Sequence, residues 1–175
     1  MTFLIMLKKL SNSNNLVRSM LSCFFVVCMF FTPLEVFAKR PPEIRNQEDV
    51  KISQDMHGLD LSGNEYVKFD LKGINFSESN LTGAVFNNSK LRGADLHGAN
   101  MSDALAYASD FENANLQDVI FNGALLMESN FSNAKIEGAD FTDAVLSRIQ
   151  QKQLCKIAEG TNSSTGIETT YSLGC

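Results

Sequence analysis

Tryptophan is absent from the 175 residues and histidine occurs only twice. The four cysteines form no C-x-x-C pair, so the donor spacing of a zinc cluster is missing. Cations are scarce: Lys and Arg total 15 against 20 Asp and Glu, a formal net charge of −5. Such a surface repels phosphate backbones, which argues against direct nucleic-acid binding. The length leaves room for one domain. Neither a helical period of 3.6 nor a strand period of 2 runs through the middle of the chain.

The chain has one long apolar run, at 20–34, broken only by Ser22, Thr32 and Pro33. Lys8, Lys9 and Arg18 precede it, and Val36-Phe37-Ala38 follows with an apolar and a small residue at −3 and −1 of a cleavage after Ala38. A charged start, an apolar middle and a small-residue end predict a signal peptide over 1–38. The run falls short of the roughly 20 residues that span a bilayer, so no stable membrane insertion is expected after cleavage. An uncleaved anchor is the alternative, since 3–7 adds an apolar patch. Cys23 and Cys28 lie inside the run rather than after it, which disfavours a lipoprotein. Cleavage would leave 12 cations, 19 anions and two cysteines, Cys155 and Cys175. In an oxidising compartment such a pair usually bonds; free thiols are the alternative. A Cys155–Cys175 disulfide would stabilise by roughly 3 kcal/mol on chain-entropy grounds.

From Leu61 to Leu146 a residue recurs every fifth position for 18 units without a slip, all of them large except Ala106. Two residues earlier runs a mostly small series, Ser79, Ala84, Ser89, Ala94 and onward. Asp or Asn often lies between them, as in Ala94-Asp95-Leu96 and Ala114-Asn115-Leu116. Gly follows two positions after the large residue in many units, at Gly63, Gly73, Gly83, Gly93, Gly98, Gly123 and Gly138. A period this short predicts a solenoid with one side per unit. The interior is narrow, and Gly and Asn permit its tight corners.

Residues 59–148 resemble the pentapeptide-repeat family, whose motif is approximately A-(D/N)-L-x-x. The resemblance implies an all-β solenoid, a right-handed quadrilateral parallel β-helix with four pentapeptides per coil and about 4.5 coils, roughly 22 Å long, ending in a short C-terminal α-helix and tail. Residues 20 apart then stack. The inner columns are well filled except where Ala106 stands between Phe86 and Leu126, which leaves either a small void or an inward shift. In the first coil Leu59, Phe69 and Ile74 are bulky where small residues belong and Asn64 is polar; with Met56 below, this coil reads as an N-terminal cap. Residues 39–55 read as a flexible lead-in, 56–148 as the β-helix and 149–175 as a helix with a disulfide-pinned tail. The stretch 143–159 reads as a helix, stopped at Gly160, and the tail from 161 as loop. The tail, with Leu154-Cys155-Lys156-Ile157-Ala158-Glu159-Gly160-Thr161-Asn162 and Ser172-Leu173-Gly174-Cys175, is similar to that of exported pentapeptide-repeat proteins of thylakoid lumens. This favours the thylakoid lumen over a periplasm.

Sorting the outward positions by coil gives four faces. Three are polar. One alternates Asp70, Lys72, Lys90, Arg92, Asp110 and Glu112, and another carries the lone repeat histidine, His97, with no catalytic partner in sequence. The fourth is different: Glu65 is followed by Val85, Leu105, Leu125 and Val145 in one column, with Tyr107 and Met127 beside them. An apolar strip marks a contact surface; cover in cis by the C-terminal helix or tail is the other reading. No catalytic set, no metal site, no cofactor and no concave pocket is expected. The chain reads as a non-catalytic scaffold or protein-interaction module with an unknown protein partner, or as one that self-associates. The resemblance supplies an alternative, a DNA mimic acting on DNA gyrase. Export and mixed surface charge argue against it.

Overall fold

The computed structural model describes residues 54–175. The leader, its cleavage after Ala38 and nearly all of the 39–55 lead-in lie outside the described residues.

Extended strands are absent among these residues. The ladder consists of fifteen single-residue parallel bridges, from Asp55↔Asn75 to Leu125↔Val145, and every one joins residues 20 apart. Each bridging residue precedes an inward one. Leu81 N–H donates upward to Asn100 O at 2.7 Å, and Asn100 N–H returns to Ser79 O at 3.0 Å. The pentapeptide has no room for a longer strand, because two of its five residues turn the corner. The second corner residue takes positive φ at every fifth position from Gly58 to Asp143. Ten of these are not glycine, among them Asp103, Ala108, Asp118, Glu128 and Asp143 at φ between 53° and 62°. Asn and Asp tolerate this region; alanine does so only because the ladder over-determines it. The residue opening the corner is tied down by its neighbour: Asn80 Oδ1 accepts from Thr82 N–H at 3.2 Å, and Asp95 Oδ1 from His97 N–H at 3.1 Å.

The two inward series form the core. Phe76, Leu81, Phe86, Leu91, Leu96, Met101, Phe111, Leu116, Phe121 and Leu126 are fully buried, and Ala106 is sealed with them. Aromatic rings stack along the columns: Tyr66 on Phe86 at 5.0 Å, Phe111 on Phe131 at 5.3 Å and Phe121 on Phe141 at 5.2 Å. One small-residue column is polar yet satisfied. Ser89, Ser109 and Ser129 donate their hydroxyls one coil down, to Tyr66 O, Phe86 O and Ala106 O. In turn Ser89 Oγ accepts from Phe69 N–H and Ser129 Oγ from Ser109 N–H, both at 3.0 Å. Buried hydroxyls are tolerable only when paired in this way.

The first coil closes itself. Phe69 and Ile74 are buried, and Asn64 Nδ2 donates to Tyr66 Oη at 3.3 Å. Leu59 differs from its neighbours in remaining 46% exposed. Burial raises the Tyr66 phenol above its ordinary value of 10.0. The core therefore holds the neutral phenol, and its contribution to stability is complete below pH 10 and is lost as pH rises through the higher folded value. Ultraviolet titration is expected to show a late phenolate step that disappears in Tyr66→Phe; an unchanged titration would place Tyr66 in solvent.

At the other end the structure corrects two expectations. The terminal helix is shorter than 143–159: α1 spans Arg148–Leu154. Val145 is still held in the ladder by Leu125, and a capping box starts the helix only at Ser147, with Gln150 N–H donating to Ser147 Oγ at 3.2 Å and Ser147 N–H to Gln150 Oε1 at 2.8 Å. The tail is also not all loop, since α2 spans Thr169–Leu173. Gln150 Nε2 then donates to Leu126 O and Ser129 O at 2.9 and 2.8 Å. It does above the last serine what each serine hydroxyl does below. Further on, Gly138 N–H donates to Glu159 O at 2.9 Å. A Cβ on Gly160 would stand 2.9 Å from Gly138 N, so only glycine lets the tail lie this close. Asn162 is buried and its amide donates to Gly138 O at 2.8 Å. Cys155 and Cys175 are bonded, with Cα atoms 5.6 Å apart.

Candidate interaction surface

Val85, Leu105, Leu125 and Val145 bridge one another in a single column. Leu125 and Val145 are 43% and 39% exposed; Val85 and Leu105 are half-buried. Tyr107 and Met127, each 43% exposed, stand at the corner just after this column. The apolar side chains sit here because this column alone has Val and Leu where the others carry mostly Asp or Asn. Elsewhere those polar residues bond along the column, as Asn115 Nδ2 does to Asp95 Oδ1 and Asn130 Nδ2 to Asp110 Oδ1, both at 3.0 Å.

Further residues adjoin the strip or stand exposed near its end. Val67, 41% exposed, lies one coil below Asn87 in the corner column, and Ile149 on α1 is 71% exposed. The strip is also edged by acids in the left-handed corners: Asp103 and Asp143 on the side before it, Glu128 on the side after it, all exposed. Their fivefold spacing was in the sequence, but a charge at a corner position carries no sign of which face it borders. Glu128 accepts the Tyr107 hydroxyl, which raises the phenol above its ordinary value, with the carboxylate charge adding in the same direction.

The charged face resolves into surface pairs, Lys72–Asp70 at 3.5 Å, Lys90–Asp70 at 3.8 Å and Arg92 between Asp110 at 3.0 Å and Glu112. Exposed pairs like these are each worth well under about 1 kcal/mol. His97 is exposed, and among the described residues no group of three or more His, Cys, Asp or Glu could hold a metal. The expectation of no concavity does not hold at the C-terminal end. Clefts of about 240, 330 and 340 Å³ open where the cap meets the last coil. They arise because a helix cannot match the edge of a square coil. The 240 Å³ cleft is lined by Phe131, Gln150, Leu154 and Ile157 among others, with no nucleophile beside a base. No helix among the described residues is long and apolar enough to cross a membrane.

Comparison with known proteins agrees with this architecture. The family model for pentapeptide repeats matches residues 70–105 and 109–148 in eight copies. A solved pentapeptide repeat protein from the Arabidopsis thaliana thylakoid lumen is 36% identical; the alignment covers 68% of this chain and 90% of that one, with a TM-score of 0.28. The chain belongs to the pentapeptide-repeat family, whose fold is the right-handed quadrilateral β-helix. The thylakoid lumenal protein TL20.3 of Arabidopsis thaliana is 54% identical over 33 residues, 19% of this chain; the chain spans only 12% of that relative's length. The pentapeptide repeat protein Rfr23 of Cyanothece 51142 is 17% identical, covering 55% of this chain and 93% of that one, with a TM-score of 0.49.

Proposed function

We propose that this chain is a non-catalytic scaffold of the thylakoid lumen. In this reading a β-helix of about 4.5 coils over 56–148 and a disulfide-pinned cap over 149–175 follow a cleaved leader, and a protein partner docks on the face of Val85, Leu105, Leu125 and Val145. One observation carries the docking role: a column of apolar side chains left partly open, with Tyr107 and Met127 beside it, where the corresponding columns of the other faces are mostly polar. The lumen reading is supported by the two relatives of that compartment and by the leader pattern. Action on gyrase as a DNA mimic is disfavoured by the same leader and by the paired cations of the charged face.

The test is the double change Leu105→Lys, Leu125→Lys, followed by light scattering and calorimetry. A change that leaves the melting temperature unaltered, or splits a dimer, is expected for an open contact face. A monomer that melts several degrees lower would mean the strip is covered within the chain, and the docking role fails.

A further inference from the structure

The strip's surroundings restrict what can dock there. Its main file is four side chains on successive rungs, about 15 Å end to end at roughly 4.8 Å per rung, with Tyr107 and Met127 along one side. A file of this length admits either a second copy or a short segment of another protein, so the flanking charge decides the occupant. Asp103, Asp143 and Glu128 edge the upper rungs of the strip with one cation, Arg148, beside them, while Glu65 and Lys68 stand as an opposite pair of charges at its lower end. The face borders on an acidic excess, and a second copy would double it.

The complement of a narrow apolar file between carboxylates is a narrow apolar file between cations. An amphipathic helix presents that form: one stripe from residues three and four apart, with flanking positions free for charge. About ten residues, at 1.5 Å each, match the strip's length. Resting on the docking role above, we infer that the strip seats a short amphipathic helix of a partner protein whose apolar stripe is flanked by lysine or arginine. Leu105, Leu125 and Val145 take the stripe, and Asp103, Asp143 and Glu128 take the cations.

The test uses the full chain and two synthetic helical peptides of 14 residues. Both carry one leucine stripe; the flanks are all lysine in one and all glutamate in the other. Fluorescence anisotropy is expected to show the lysine peptide binding at least tenfold tighter than its twin. Leu105→Ser with Leu125→Ser is expected to weaken it at least tenfold with the melting temperature preserved. Asp103→Asn, Asp143→Asn and Glu128→Gln together should remove the preference between the peptides. Equal binding of both peptides, or lysine-peptide binding that survives the serine changes, would overturn the cationic-helix partner while leaving the docking role to stand. A native dimer split by the serine changes would overturn it in favour of a second copy. If neither peptide binds a monomer that the serine changes destabilise, this inference and the docking role fall together.

Discussion

Replacing Phe111 by alanine is expected to destabilise the folded chain by about 3–5 kcal/mol. Phe111 is fully buried at the middle of the ladder. Its ring stacks on Phe131 in the coil above at 5.3 Å and meets the edge of Phe121 in its own coil at 6.4 Å. The surrounding backbone cannot close over the missing ring. Phe111 N–H is held to Asn130 O at 2.8 Å and Asn130 N–H to Ser109 O at 2.9 Å, and the next rungs repeat these bonds. A cavity that cannot collapse keeps its full cost. The effect should also be more than local. Each coil of a solenoid touches only its neighbours, so weakening one interface uncouples the coils on either side. Urea unfolding followed by circular dichroism is expected to show a lower midpoint and a broader transition. A loss below about 1 kcal/mol would mean that the columns pack loosely enough to refill the space.

Why so much of this fold was legible is a matter of register. A repeat of five with a fixed inward position leaves no freedom in pairing, so Leu81, Met101 and Phe121 had to stand over one another. The corner residues were legible in part. Gly at 63, 73 and 83 announced the left-handed corner, but Lys68, Ala108 and Glu128 adopt it with no signal beyond their place in the period. The cap was harder because it leaves the period. Asp143 opened a plausible helical stripe, yet the ladder still claims Val145. The Ser147-Arg148-Ile149-Gln150 capping box was in the sequence and marked the true start. The five residues of α2 carry no side-chain cap. They are helical because Leu173 is buried and Ser172 Oγ accepts from Phe141 N–H at 3.0 Å, tertiary contacts that no local pattern encodes.

The candidate face was legible at the level of its column and not at the level of its edges. Val85, Leu105, Leu125 and Val145 follow from counting by twenty, whereas openness could not be counted. It depends on α1 turning over the serine column, where Gln150 is engaged, rather than over the strip. The same turn leaves Ile149 in solvent.

Removing the Cys155–Cys175 bond by serine substitution of both residues is expected to cost about 3 kcal/mol, and to do so locally. The bond closes a loop of sequence separation 20 that joins α1 to the chain end. Both helices are too short to persist alone. Without the bond, α2 depends on the buried Leu173, the Ser172 contact to Phe141, and Gln151 Nε2 donating to Leu173 O at 2.5 Å. The stretch before it depends on Asn162, whose amide reaches Gly138 O and whose Oδ1 accepts from Ser164 and Thr165 N–H at 3.0 and 2.9 Å. These contacts sit on the last coil, so their loss exposes its upper edge without disturbing the aromatic columns beneath. Hydrogen exchange is the discriminating measurement. The amides of Thr169, Ser172 and Gly174 should lose protection while Leu81, Leu91 and Phe111 keep theirs, the reverse of the expectation for Phe111→Ala. An exposed ladder edge also recruits other chains, so the serine variant should associate end to end at concentrations where the native chain does not. If protection of the cap survives, the tail is held by its packing alone, and the disulfide acts only on the unfolded chain.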